Sequence, residues 1–283
     1  MKPIYSLSCA LILASCSAIV VPDATKQPPP KPPTDTKAPI QNFTGKIEFI
    51  DPTCPQKPQQ FCKLKNIHTF TEPDGALAWE TDAWNSANAK GIQSGTTNGA
   101  DIPKAAQIFV GKPFDPGIIQ AAIIHDHYTF AENRVRNWAA THRMYLEILL
   151  DQGVNPIVAY TQYFAIYTFG DHWIELVAGE KCKFVICNKS VKQDQGQFHE
   201  ESRLHTDEAA NAIIEVYQRL STQNKLQKFI NPLTPERIQR IALEYDPENV
   251  FLKSKGSPIR MSEQNAKWLA ENTQFIAESD PNR

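Results

Sequence analysis

Between Pro22 and Pro39 the chain carries Pro28, Pro29, Pro30, Pro32 and Pro33. Proline fixes φ and lacks an amide donor, so this stretch joins neither a helix nor a sheet interior and is expected to be extended. At about 3.1 Å per residue it reaches roughly 50 Å. It separates a short N-terminal segment from roughly 240 residues, enough for one large or two small domains with a real core.

The N-terminal segment has the form of a secretory signal. Met1-Lys2-Pro3 supplies one positive charge, and a mainly apolar run from Ile4 to Ala14 follows, too short to span a bilayer. Leu13-Ala14-Ser15-Cys16 resembles the bacterial lipobox, in which small residues admit a peptidase and the cysteine sulfur carries diacylglycerol. The resemblance implies a signal peptide over 1–15 and a lipidated Cys16 opening a tether over 16–40. Two or more acyl chains make a stable anchor where one does not. Ser17 is not acidic, which by likeness to enteric lipoproteins implies sorting to the periplasmic face of the outer membrane. The rival reading is an ordinary cleaved signal with an incidental cysteine. A proline-rich SH3-type ligand is a further alternative, but directly after a lipid anchor a spacer is expected.

Charge is nearly balanced, 29 Lys and Arg against 31 Asp and Glu, and no basic block occurs. Nucleic acid is therefore not expected as a partner. Once Cys9 leaves with the signal and Cys16 takes lipid, Cys54, Cys62, Cys182 and Cys187 remain, an even number for an oxidising compartment. The local pairs Cys54–Cys62 and Cys182–Cys187 are favoured among three connectivities. Neither spacing is the Cys-x-x-Cys of zinc knuckles.

The hydrophobic pattern predicts an α+β fold: short N-terminal strands, then a mainly helical domain with a small strand pair. Phe43 to Ile50, Cys62 to Phe70 and Gly75 to Trp84 alternate crudely, as strands do. Gly91 to Pro103 reads as turns. Asp115-Pro116 is expected to cap a buried helix running to Ala131. A second helix is expected over Val135 to Gln152, with Trp138, His142, Tyr145 and Leu149 on one face and Gly153 ending it. A third runs from Asn155-Pro156 to Phe169. Between Asp171 and Leu204 a strand pair should hold Cys182 and Cys187. Helices are then expected from Thr206 to Leu226, from Thr234-Pro235 to Tyr245, and from Ser262 to near Glu278. The expected division is a globular domain over 41–205 and a helical region over 206–283 packing on it.

Ile123-Ile124-His125-Asp126-His127-Tyr128 is the most specific phrase in the chain. Burying its polar groups costs several kcal/mol unless they are paired, so they must meet partners or open onto a cavity. On a helix, positions two apart point to different sides, so His125 and His127 cannot share a site, and His127 is expected to be exposed. A short loop around Glu132-Asn133-Arg134 would pack the next helix antiparallel, bringing His142 within reach of His125 or Asp126.

The stretch from about Thr97 to Gly170 resembles the domain of unknown function 1353 of bacteria and phages. That family has a Thr-Asp-x-Ala-Ser-Ile-Pro segment, a His-Asp pair on a helix, and an Ala-Asp followed by Phe-Leu-Glu and Gly-Val. Here the first segment reads Thr97-Asn98-Gly99-Ala100-Asp101-Ile102-Pro103, the pair is His125-Asp126, and Thr141-His142-Arg143-Met144-Tyr145-Leu146-Glu147 precedes Gly153-Val154. The chain departs at Asn98, Asp101 and His142, where the family has aspartate, serine and aspartate. The resemblance implies a fold neighbourhood and a site but no reaction.

Two functions stay open. One is a membrane-anchored periplasmic lipoprotein with a binding or scaffold domain, in which His125, Asp126 and His142 form a buried polar network. The other is a metal-dependent hydrolase of cell-envelope peptide or amide bonds. In it His125, Asp126 or Asp101, and His142 hold zinc, and Glu132 serves as general base. Peptidoglycan or another envelope protein is the expected partner. A Ser-His-Asp hydrolase is weaker, because Ser94 stands in no Gly-x-Ser-x-Gly elbow.

Overall fold

Short alternating segments near the N-terminus make two small antiparallel sheets. In the computed structural model, residues 42–57, 60–75, 77–86, 94–175, 196–226, 232–259 and 263–277 are described. The expected signal, Cys16, the tether, and Cys182 and Cys187 lie outside them. Strand β1 (Phe43–Thr44) pairs with β3 (Thr69–Thr71), which pairs with β4 (Ala78–Glu80). The register sets Phe43 opposite Phe70 and Phe70 opposite Trp79. All three rings are buried, so one face of this sheet carries a row of aromatic side chains turned to the core.

The second sheet pairs β2 (Cys62–Lys63) with β5 (Thr96–Thr97). Cys54 and Cys62 form the expected disulfide, eight residues apart. Strand β5 lies where only turns were expected. Two residues carry no period to read, and a cross-strand partner decides their conformation.

The helices follow the apolar pattern closely. After a short α1 (Gln107–Val110), α2 covers Ile118–Thr129 and buries Ile118, Ile119, Ala121, Ala122, Ile123 and Ile124. Its start corrects the sequence reading, because Gly117, at φ 84°, occupies the N-cap position. Asp115 belongs to the preceding turn: its carboxylate accepts from Lys112 N at 2.8 Å. Helix α3 (Trp138–Asp151) starts at Asn137, whose side chain accepts from Ala140 N. Gly153, at φ 74°, follows its end. Helix α4 (Pro156–Phe169) is buried at every position from Ala159 onward. Tyr163, Phe164, Tyr167 and Phe169 are fully covered, each contributing roughly 1.5–3 kcal/mol of apolar burial. This central rod packs against α3 and against α5 (Asp207–Leu226), which presents Ala209, Ile213, Val216 and Leu220.

Strand β6 (His172–Glu175) leaves α4 and pairs with β7 (Gly196–Glu200). A strand pair thus lies between Asp171 and Leu204, but its described strands do not include Cys182 or Cys187, and β8 (Gln274–Ala277) adds to it and makes a three-stranded sheet. The last helix is correspondingly shorter than expected. After α6 (Pro235–Tyr245) and a short α7 (Val250–Ser254), α8 covers Glu263–Asn272 and stops before β8. Gln274-Phe275-Ile276-Ala277 extends the apolar pattern of α8, and only the open edge of β7 turns it into strand. The architecture is mixed α+β. Among the described residues, no helix is long and apolar enough to cross a membrane.

Candidate functional site

Helices α2 and α3 run side by side, and the apolar stripe of each places a histidine at their contact. Trp138, His142, Tyr145 and Leu149 are all buried, as their spacing implies. His125 Nε2 lies 2.8 Å from His142 Nδ1. His142 Nε2 in turn lies 3.1 Å from the carbonyl oxygen of Asp171, at the end of α4.

Those two contacts settle where the protons sit. A carbonyl only accepts, so His142 carries its proton on Nε2 and donates to Asp171. Burial, then the neighbouring His125 and His172 rings, holds His142 well below the usual histidine range. The ring is thus neutral and accepts at Nδ1, and His125 Nε2–H donates to it. Burial holds His125 down to about 4, with the Asp171 carboxylate opposing. A neutral His125 that donates through Nε2 keeps its lone pair on Nδ1.

The pair fits a hydrogen bond better than a metal. Two imidazole nitrogens on a tetrahedral zinc, each about 2.0–2.1 Å from the ion, stand roughly 3.3 Å apart with both lone pairs aimed at it. Here the nitrogens face one another at hydrogen-bond distance. Among the described residues, no three His, Cys, Asp or Glu side chains gather as a metal-holding group. The set drawn from the sequence, His125, Asp126, His142 and Asp101, is therefore not arranged around a common ion. Glu132 falls in the 3-10 turn Ala131–Asn133 between the helices, and its side chain lies outside the described residues.

Asp126 takes a different partner. Its Oδ2 accepts from Thr97 Oγ1 at 2.5 Å, tying α2 to β5. Burial, then the Asp101 carboxylate, pushes Asp126 well above the usual carboxylate range, against the Thr97 hydrogen bond. Asp101, exposed at the rim of the site, is itself raised by the protein packed around its carboxyl and further by Asp171, with His205 opposing. Asp171 goes the other way. Burial alone would raise it, but its hydrogen bond from His199 at 2.8 Å, the charge of Arg134 and a bond from Ser202 N leave it lowered.

These groups share one cavity of about 50 Å³, lined by Asp101, His125, Asp126, Tyr145, Gln162 and Asp171 among others. Tyr145 Oη donates to Gln162 Oε1 at 2.6 Å, and Gln162 Nε2 donates to the Val110 carbonyl at 2.6 Å. Ile102, Val110, Ile166, Leu204 and Ile213 supply the apolar wall. Volume of this order holds several waters, since one needs roughly 10–15 Å³.

The expected exposure of His127 is corrected. It is only 9 % exposed, packs edge-on against Tyr128 and meets Asn133 Nδ2 at 3.3 Å. The turn after α2 folds back over it, which helical periodicity alone does not reveal. Asp171, Gln162 and Thr97 were missed as site residues. Asp171 follows the helix-ending Gly170, a position from which a side chain reaches back beside the helix, and Gln162 is the lone amide in an apolar helix; both signals were available.

Beside the site lies a second buried network. His172 Nε2 faces the Tyr167 carbonyl at 3.0 Å and its Nδ1 faces Glu200 Oε2 at 2.8 Å. Asn249 Nδ2 also donates to Glu200, at 3.2 Å and 3.3 Å. Burial would raise Glu200, but the His172 hydrogen bond and charge outweigh it and leave it lowered. This network joins β6, β7 and the start of α7, and so fixes Asp171 and His199 next to the cavity.

The family model described as "Protein of unknown function (DUF1353)" matches residues 85–166. Those residues include Thr97, Asp101, His125, Asp126, His142, Tyr145 and Gln162, whereas Asp171 and His199 lie beyond the match. An uncharacterized protein, y4iH, of Sinorhizobium fredii is 44% identical over 86 residues, covering 30% of this chain and 35% of that protein. A second uncharacterized protein of the same organism, y4jT, is 29% identical over 127 residues, covering 44% of this chain and 32% of its own length. The match thus spans about a third of the length of each relative. No solved structure matches.

Proposed function

We propose that this chain is a lipid-anchored protein of the bacterial cell envelope, held through Cys16 at the periplasmic face of the outer membrane. In this reading residues 16–40 are the tether and the folded domain binds a small polar group. The anchor rests on Leu13-Ala14-Ser15-Cys16 and the prolines that follow it. One observation carries the rest: His125, His142 and the Asp171 carbonyl form a closed hydrogen-bond chain beside a cavity lined by carboxylates. Such a chain rigidifies the floor of a site without requiring an ion, and the cavity is where a ligand would enter.

The hydrolase reading would need His125 and His142 to give up their shared hydrogen bond, while His142 Nε2–H could keep the Asp171 carbonyl. Metal analysis of the purified full chain, with His125→Ala and His142→Ala alongside, separates the two. A metal-poor protein whose variants lose stability supports the binding domain. Stoichiometric zinc in the wild type, lost in both variants, would overturn it.

A further inference from the structure

We infer that the cavity between Asp101, Asp126 and Asp171 receives a primary alkylammonium group, its charge among the carboxylates and its methylene stem along Ile102, Ile166, Leu204 and Ile213. The inference rests on the proposal that this cavity is a binding site. Four features of the site lead to it.

First, three carboxyl groups line one space, and no lysine or arginine lines it with them; His125, the one histidine of the lining, is held neutral. Arg134 acts on Asp171 and bonds His199, which itself bonds Asp171, and His205 acts on Asp101; neither Arg134 nor His205 lines the cavity. Second, the carboxyl groups crowd one another, and Asp101 and Asp126 are both shifted toward the neutral acid. A bound cation would remove that repulsion and draw a proton off the site. Third, the donors share a cavity but do not converge tightly enough for a metal ion. An ammonium carries three hydrogens pointing in different directions, so it can serve acceptors that a single ion cannot reach together. The Nδ1 lone pair of His125 is a further acceptor. Fourth, apolar side chains make up much of the wall, which suits a hydrocarbon stem and not a hydrated inorganic ion. The cavity of about 50 Å³ fits the tip of such a group rather than a polymer chain.

The same ammonium could come from a lysine-like side chain or from a free diamine. The test uses full-length protein in detergent and titration calorimetry in two buffers of different ionisation enthalpy, which counts released protons. The probes are n-butylammonium, its neutral isostere 1-butanol, butyrate, and zinc and magnesium chlorides. Nα-Acetyl-lysine methylamide and 1,5-diaminopentane distinguish a peptide-borne amine from a free one.

Butylammonium is expected to bind with millimolar Kd and with proton release. Asp101→Asn, at the exposed rim, should weaken it about tenfold, and Asp126→Asn should abolish the proton release. Binding of 1-butanol or butyrate as tight as that of the amine would overturn the inference while leaving a binding pocket. Saturation by a metal ion without amine binding would overturn it too, as would no binding of any amine to a folded wild type. None of these outcomes bears on the metal content of the protein as purified, so the two proposals fail separately.

Discussion

Replacing His142 with alanine tests the site at its most buried point. The ring is fully covered and lies against Trp138, His125, His172 and Trp173. Truncation removes that packing and strands two polar groups, His125 Nε2–H and the Asp171 carbonyl. A buried group left without its partner costs about 1–3 kcal/mol. Water in the cavity can partly satisfy His125, so its share lies at the low end. Together with the cavity left by the ring, the expected loss is about 3–5 kcal/mol. For a domain of this size each kcal/mol moves Tm by roughly 2–4 °C, so His142→Ala should melt roughly 6–20 °C lower. His125→Ala should cost less, about 1–2 kcal/mol, because it borders the cavity. The double variant should be less destabilised than the sum by about 1–2 kcal/mol, since each single change already breaks the shared bond. Urea denaturation followed by far-ultraviolet circular dichroism reads all three. A His142→Ala variant within 1 kcal/mol of wild type, or strictly additive losses, would refute the hydrogen-bonded pair.

Three further outcomes follow from the same geometry. Asp126→Asn should raise Tm at pH 8, because asparagine still accepts from Thr97 and cannot ionise. With its folded pKa raised, Asp126 carries no penalty below the unfolded value near 4 and its full penalty above the folded value, so the Asn advantage should vanish in acid. His125 has the opposite linkage: its folded pKa of about 4 lies below the unfolded 6.5, so stability is complete above pH 6.5 and declines as pH falls toward 4. That share amounts to roughly 3 kcal/mol, and His125→Gln should reduce the acid decline in pH-dependent melting curves, leaving the part that His142, also held low, contributes. Radiolabelled palmitate should label the full chain in a bacterial host and not Cys16→Ser; equal labelling of both would remove the lipid anchor.

Much of this arrangement was readable from spacing alone. Helical periodicity gave α4 to the residue, because Asn155-Pro156 marks its start, and gave the end of α3 through Gly153; the start of α3 moved from Val135 to Trp138, where the Asn137 side chain caps it. The meeting of His125 with His142 followed from an antiparallel helix pair joined by a short turn. Where local pattern does not decide conformation, the reading fell short. Strand β5 is set by its partner Cys62-Lys63, and β8 by the edge of β7. The start of α2 moved because Gly117, with no side chain to clash at positive φ, took the place assigned to Asp115. The purpose of the histidines was also beyond the residue types. His-Asp-His can hold zinc or hold helices together, and residue types alone do not choose between them; the 2.8 Å between two ring nitrogens fits a hydrogen bond. Asp101 and His142, two of the positions where the chain departs from the resembled family pattern, both belong to this site, which is why the residues alone could not fix its chemistry.

The tautomers of the two rings give the most direct test. Long-range ¹⁵N–¹H correlation spectra of the imidazoles at pH 7 should show His125 and His142 both neutral and both protonated at Nε2, with no change on adding a chelator. Metal-ligand shifts that disappear with chelator, or a proton on His142 Nδ1, would contradict the hydrogen-bonded site.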